Sequence, residues 1–118
     1  MAAPGRSTWD FAIAVQEWAP LHAPGARLAH PDDLDGVRRT GRLARAYGLE
    51  PQQADELVDV VFEERAHHLA TIRSHAAAGI QPWATSWLAD DGERRAAADD
   101  AWLRQQRRSL LEVLSAPA

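Results

Sequence analysis

The sequence predicts an all-α fold, with about five helices packed around one long central helix. Apolar residues recur at intervals of three and four along most of the chain, and no segment shows the alternation typical of a half-buried strand. Between Pro51 and Gly79 no glycine or proline interrupts the helical pattern. A chain of 118 residues is long enough for one core, so we expect residues 1–118 to form a single helical domain.

The first helix is predicted from a cap and an apolar face. Ser7 and Asp10 have the spacing of a capping box, in which two side chains satisfy free amides of the first turn. Pro20 ends the segment, because proline cannot continue a helix. The apolar face consists of Phe11, Ala14, Val15 and Trp18.

The second and third helices are predicted from their boundaries. The second begins near Asp32 or Asp33, both suitable N-cap residues, and ends at Gly48, which suits the position after a helix. The third begins at Pro51 and is the long central helix. Its apolar stripe consists of Ala54, Leu57, Val58, Val61, Phe62, Leu69, Ile72 and Ala76.

Two further helices complete the predicted fold. The stretch from Trp83 to Leu88 fits one or two turns, and Gly92 interrupts it. The final helix is expected to run from Glu93 to Leu114. Its buried face is expected to contain Ala98, Ala101, Trp102 and Val113, widened by Leu103, Leu110 and Leu114.

Composition limits the classes of function. The formal net charge of −4 disfavours a nucleic-acid-binding protein, which normally presents a basic surface. No window reaches the run of about 20 apolar residues that a membrane span needs, and the N-terminus lacks the apolar core of a secretory signal. The absence of cysteine excludes disulfides, thiolate metal sites and a cysteine nucleophile. We therefore expect a cytoplasmic protein.

Lysine is missing altogether, since all 13 basic residues are arginines. Any mechanism that needs a lysine, such as that of a P-loop or a kinase phosphate site, cannot be completed from this chain. There is also no glycine-rich phosphate loop, and no serine lies in a nucleophile elbow. We therefore assign no catalytic residue.

Five tryptophans are a high count for this length. For the tryptophans as a set, we favour a structural role, in which the large rings fill the core of an alanine-rich bundle, over a role in stacking on a ligand. Trp83 and Trp87 are the exceptions, because they lie in a short segment flanked by loops. These two are candidates for a ligand surface.

Metal binding has three candidate ligands. Glu64, His68 and His75 fall along one flank of the long helix, because steps of four and seven residues return to nearly the same face. A carboxylate-bridged metal site would need a second such set, so we favour ordinary contacts between neighbouring turns. Three acidic residues lie near the start of the last helix: Asp90, Asp91 and Glu93. We favour a role in capping this helix over a role in attracting a cation.

One family resemblance emerges from the order of these features. The segment Pro-Gly-Arg-Ser-Thr-Trp-Asp-Phe-Ala-Ile-Ala-Val at 4–15, followed by Trp-Ala-Pro-Leu at 18–21, resembles aminoglycoside-phosphotransferase-like kinases. That family has a Pro-Gly-x-x-x-Trp-Asp-Leu-Ala segment shortly after its metal-binding aspartate. Tyr-Gly-Leu at 47–49, the long helix, Gly-Glu-Arg at 92–94 and Asp-Ala-Trp-Leu at 100–103 follow in the same order. The resemblance covers nearly the whole chain and implies the C-terminal helical subdomain of a kinase-like fold.

The resemblance also implies what this chain lacks. The family's phosphate-binding lysine, base aspartate and metal-binding aspartate would precede Met1, so ATP and Mg²⁺ are implied only for a complete family member. Asp10 matches the Trp-Asp position, whose implied role is to buttress the catalytic loop. Antibiotic-modifying members bind their polycationic drug through carboxylates just beyond the first helix, where this chain has only Glu17 nearby. A different hydroxylated metabolite is equally compatible.

Two functions follow. The first is the substrate-side helical portion of a small-molecule phosphotransferase, catalytically incomplete on its own, whose partner is a missing N-terminal lobe. The alternative is a stand-alone, non-catalytic binding or dimerisation module, since a helical lobe without its partner should expose apolar surface around Trp9, Phe11 and Val15. A complete small enzyme that uses the histidines ranks last. The candidate substrate or interface residues are Trp9, Glu17, Trp18, Trp83, Trp87, Asp90, Asp91 and Glu93.

Overall fold

The computed structural model describes residues 4–19, 21, 35–89 and 91–116. This part of the chain is helical throughout and contains no strand, which confirms the all-α prediction. The described residues form six α-helices where about five were expected, and a 3₁₀ turn at Pro51–Gln53 precedes the third. The helices are α1 (Pro4–Trp18), α2 (Asp35–Ala46), α3 (Ala54–Ala77), α4 (Trp83–Ala89), α5 (Gly92–Gln105) and α6 (Arg107–Ser115).

The long helix α3 is the centre of the fold, as predicted. Its 24 residues span about 36 Å at about 1.5 Å per residue. The first half of the apolar stripe is buried against α1 and α6. Beyond Arg65 no residue of α3 is fully buried, and Leu69, Ile72 and Ala76 are half-exposed. The N-terminal half of α3 therefore belongs to the core, whereas its C-terminal half is only partly covered.

The core joins α1, α2, α3 and α6, with one leucine from α5. Its largest buried apolar side chains are Phe11, Leu57, Val58, Leu103, Leu110 and Leu114. Phe11 and Val15 are 0% and 2% exposed, because α1 packs along α3. The expected exposed apolar surface around Trp9, Phe11 and Val15 is therefore wrong: two of the three residues are in the core, and Trp9 is half-buried against it.

Two glycines end helices in the same way. Gly48 follows α2 with φ of +73°, and the amides of Gly48 and Leu49 donate to the carbonyls of Arg45 and Ala44 at 3.0 and 2.9 Å. Gly79 follows α3 with φ of +74° and an equivalent pair of hydrogen bonds. Both are Schellman ends, in which a left-handed residue is needed and glycine adopts it without a Cβ penalty. The predicted role of Gly48 is confirmed.

The predicted cap of the first helix is wrong. α1 begins at Pro4, so Ser7 lies within the helix and Asp10 lies in its middle, with an exposed side chain. Proline is favoured in the first helical turn, since its missing N–H is not needed there. The predicted N-caps Asp32 and Asp33 lie outside the described residues.

The final helix is broken in two. Gln106 has φ of −87° and ψ of 1°, and its amide is shared between the carbonyls of Trp102 and Leu103 at 3.1 and 3.0 Å. The predicted buried face is correct for Leu103, Leu110 and Leu114 but wrong for Ala98 and Ala101, which are exposed. Leucine gains more than alanine from burial, so the chain turns its leucine face inward. The residues of α5 and α6 buried by this arrangement are Gly92, Ala96, Leu103, Leu110 and Leu114.

None of the described helices is both long enough and apolar enough to cross a membrane.

Candidate functional site

A cleft of about 270 Å³ lies between the C-terminal half of α3, helix α4 and the first half of α5. Gln16 of α1 closes one end. This volume is at the small end of the range for ligand pockets, roughly 300–1,000 Å³. The cleft is lined by Gln16, Arg65, His68, Leu69, Ile72, Trp83, Ser86, Trp87, Gly92, Arg95, Ala96 and Asp99.

Two tryptophans of α4 form one wall of the cleft. The ring of Trp87 packs directly on the backbone of Gly92, where a Cβ atom would lie only 2.3 Å from the Cδ2 atom of the ring. The guanidinium of Arg73 lies 5.9 Å from the Trp87 ring centroid. The rings of Trp83 and His75 are 4.9 Å apart. Glycine at the start of α5 is therefore what lets α4 approach closely enough to form this wall.

A buried ion pair forms part of the cleft lining. The Nη2 atom of Arg65 lies 3.6 Å from Oδ2 of Asp99, and the two side chains are only 9% and 14% exposed. Nη1 of Arg65 donates to the carbonyl of Leu21 at 3.4 Å. Burial lowers the pKa of Arg65, while the neighbouring carboxylates of Asp99, Asp100 and Glu64 act in the opposite direction. Arginine suits this position, because its delocalised guanidinium is weakly hydrated and keeps its charge in a buried ion pair.

The Arg65 guanidinium is not fully satisfied. Its Nε atom is buried and has no hydrogen-bond partner within the part of the chain that the structure describes. A buried donor without a partner costs about 1–3 kcal/mol, so such atoms usually mark a site completed by water or a ligand.

The rim of the cleft carries a second arginine. The side chain of Arg95 is exposed and makes no ion pair or hydrogen bond with any described residue. The neighbouring arginines differ: Arg94 pairs with Asp91 at 2.9 Å, and Arg73 binds both carboxylate oxygens of Glu93 at 2.8 and 3.1 Å. Arg95 is thus the cation at this rim that remains available.

The structure brings together some of the predicted site residues. Trp83, Trp87 and His68 line the cleft. Glu93 does not line it but binds Arg73, whose guanidinium lies beside the Trp87 ring. Asp91 adopts a left-handed backbone at the start of α5, but its side chain pairs with Arg94 and makes no capping hydrogen bond. Asp90 lies outside the described residues. The candidates on α1 do not line the cleft: Trp9, Asp10, Glu17 and Trp18.

The three candidate metal ligands do not form a site. Glu64 is buried, with Oε2 lacking a hydrogen-bond partner among the described residues, whereas His68 is exposed. Nδ1 of His75 lies 2.7 Å from the carbonyl of Thr71 on its own helix. Across the described ranges, no three histidine or carboxylate side chains are close enough to hold a metal ion.

Five polar residues of the cleft were not predicted as site residues: Gln16, Arg65, Ser86, Arg95 and Asp99. Arg65 and Asp99 could have been found, because each occupies an apolar-stripe position. Arg65 follows Val61 by one turn, and Asp99 lies between Ala96 and Leu103 on the buried face of α5. Charged residues are almost never buried unless paired, so two on facing stripes indicate an ion pair.

Comparison with protein-family models, with curated proteins and with solved structures finds no match for this chain. The resemblance to aminoglycoside-phosphotransferase-like kinases therefore stays a prediction, and the cleft provides the direct basis for a functional proposal.

Proposed function

We propose that this chain binds a small hydroxylated molecule in the α3–α4–α5 cleft and is the substrate-side helical portion of a phosphotransferase, catalytically incomplete on its own. The observation that carries this proposal is the composition of the cleft, in which two tryptophans face a buried arginine–aspartate pair. Ligand pockets typically combine aromatic walls with a few convergent polar groups.

The polar lining favours hydroxyl groups on the ligand. Gln16, Ser86 and His68 each offer both a donor and an acceptor, and Asp99 offers carboxylate oxygens. A hydroxyl group both donates and accepts, so it can bond with any of these side chains. The partly exposed indole rings supply a flat apolar surface on which a sugar-like or aromatic ring can stack.

The binding test uses the ¹⁵N-labelled chain and 4-hydroxybenzyl alcohol as a neutral hydroxylated probe. We expect saturable shifts of the indole N–H signals of Trp83 and Trp87, with the Trp18 signal unchanged. Trp87→Ala should abolish these shifts. Trp18→Ala is the matched control, because Trp18 is 68% exposed and does not line the cleft. Equal shifts of all five tryptophans, or none at any probe concentration up to the solubility limit, would overturn the binding proposal.

The phosphotransferase portion of the proposal has its own test. ATP with Mg²⁺ should leave the spectrum of the isolated chain unchanged, because no lysine is available for the phosphates. An in-frame coding region upstream of Met1, with a lysine and a catalytic aspartate, would support the resemblance. Stoichiometric, tight ATP–Mg²⁺ binding by this chain alone would contradict it.

The alternative is a stand-alone binding module, which would use the same α3–α4–α5 cleft. Such a module would bind the probe equally well without a second lobe. The expected homodimer stays a prediction, although Phe11 and Val15 are buried and do not supply its interface. Sedimentation over a range of concentrations measures it, and a constant monomer mass would exclude it.

A further inference from the structure

We infer that the ligand of this cleft carries an oxyanion, a carboxylate or a phosphate, which binds Arg95. The inference rests on the proposed function, since it names the chemical class of ligand for the same cleft. It is opposite in charge to the polycationic drug of the antibiotic-modifying kinases.

The charges around the cleft support an anion. The lining contains two arginines, Arg65 and Arg95, and one carboxylate, Asp99. Arg65 and Asp99 pair with each other, which leaves the charge of Arg95 uncompensated. Two further pairs of described residues lie beside the cleft and outside its lining: Arg73 with Glu93, and Arg94 with Asp91.

The buried guanidinium supplies a second, independent observation. Arg65 lines the cleft with a side chain that is 9% exposed, and its Nε–H has no partner among the described residues. An N–H of a cation bonds more strongly to an anionic oxygen than to a neutral one. Arg65, whose Nε–H has no described partner, and Arg95, whose side chain is unpaired, therefore line the same cleft, and an oxyanion is a group that either guanidinium can bind.

The apolar lining defines the rest of the ligand. Trp83, Trp87, Leu69 and Ile72 provide a surface that suits a single flat ring. The volume of about 270 Å³ is too small for a nucleotide or an oligosaccharide to enter completely. The cleft thus fits a hydroxylated ring that bears one acidic group.

Three probes that share a hydroxylated ring test the charge preferred on the ligand. At pH 7.5, 4-hydroxybenzoate is an anion, 4-hydroxybenzyl alcohol is neutral and tyramine is a cation. Binding to the full chain is measured from the Trp83 and Trp87 indole signals. We expect the anion to bind roughly three- to tenfold more tightly than the neutral probe, and tyramine to bind most weakly. The preference should shrink in high salt, because Arg95 is exposed.

Three variants assign the preference to one residue. Arg95→Gln should remove the advantage of the anion over 4-hydroxybenzyl alcohol. Arg94→Gln is the matched control on the next position of α5, and it should retain the full preference, because Arg94 lies outside the cleft. Arg95→Lys should retain part of it. A preference that survives Arg95→Gln would overturn the inference.

The outcomes separate the two proposals. If the three probes bind equally, or tyramine binds best, the oxyanion inference is wrong and the binding cleft stands. If no probe shifts either indole signal, both proposals are wrong. 4-Hydroxyphenyl phosphate distinguishes the sources of the oxyanion: tighter binding than 4-hydroxybenzoate identifies a phosphate, and weaker binding identifies a carboxylate.

Discussion

Replacement of Gly92 by alanine tests how the cleft wall is built. The three Trp87 ring atoms nearest to the position of a Cβ at residue 92 lie at 2.3, 2.4 and 2.8 Å. Carbon atoms in contact prefer about 3.5–4.0 Å, so the ring must withdraw by more than about 1 Å. The φ angle of Gly92 is not positive, in contrast to those of Gly48 and Gly79, so alanine introduces no backbone strain there. The effect therefore comes from displacement of Trp87.

The magnitude follows from the area that Trp87 buries. A tryptophan buries about 150–250 Å² when fully enclosed, and this one is half-buried. Loss of about 100 Å² at about 25 cal/mol per Å² costs about 2.5 kcal/mol. Alanine recovers up to about 1 kcal/mol of helix propensity relative to glycine. We expect Gly92→Ala to lower the free energy of unfolding by between about 1 and 2 kcal/mol.

The assay combines urea denaturation with the indole N–H signal of Trp87, assigned from a Trp87→Phe variant. Gly48→Ala is the matched control. Its φ of +73° makes alanine cost about 1–2 kcal/mol, but no atom lies within 4 Å of the added methyl group. Both variants should lose similar stability, and only Gly92→Ala should move the Trp87 signal. Wild-type stability together with an unmoved Trp87 signal in Gly92→Ala would refute the reasoning.

Two further predictions concern the core and the buried pair. Leu103→Ala should lower the free energy of unfolding by about 3 kcal/mol, because Leu103 is completely buried. Leu88→Ala, at an 81% exposed position, should change it by less than about 0.5 kcal/mol. Urea denaturation measures both values, and equal losses would contradict the assigned core. Arg65→Ala should cost about 3 kcal/mol, because it removes one partner of a mostly buried Asp99 carboxylate together with the buried guanidinium. Arg104→Ala breaks an exposed pair and should cost under about 1 kcal/mol in the same measurement. A smaller loss for Arg65→Ala than for Arg104→Ala would disprove the buried-pair assignment.

The helical fold could be predicted because its signals are local. Pro51, Gly48 and Gly79 mark helix boundaries through their own backbone preferences, and the stripe of α3 repeats over many turns. The capping box at Ser7 failed because Pro4 offered an earlier start for the same helix. The break at Gln106 has no glycine or proline to announce it, so its cause lies in tertiary packing, which sequence periodicity does not record.

The candidate site could be predicted only in part. Trp83 and Trp87 were identified because large rings in a short segment have little core to fill. Arg65 and Asp99 were missed because their pairing joins positions 34 residues apart on two different helices. Arg95 is one of two adjacent exposed arginines near the start of α5, and only the position of the cleft distinguishes it from Arg94.

Helix α4 contributes the two tryptophans of the cleft but no buried residue, and it packs mainly on the partly covered ends of α3 and α5. Such a segment opens at a small fraction of the free energy of global unfolding. Its amide hydrogens should therefore exchange with solvent far sooner than those of α1 and α6, which hold the core. Opening of these seven residues would dismantle one wall of the cleft while the rest of the molecule stays folded.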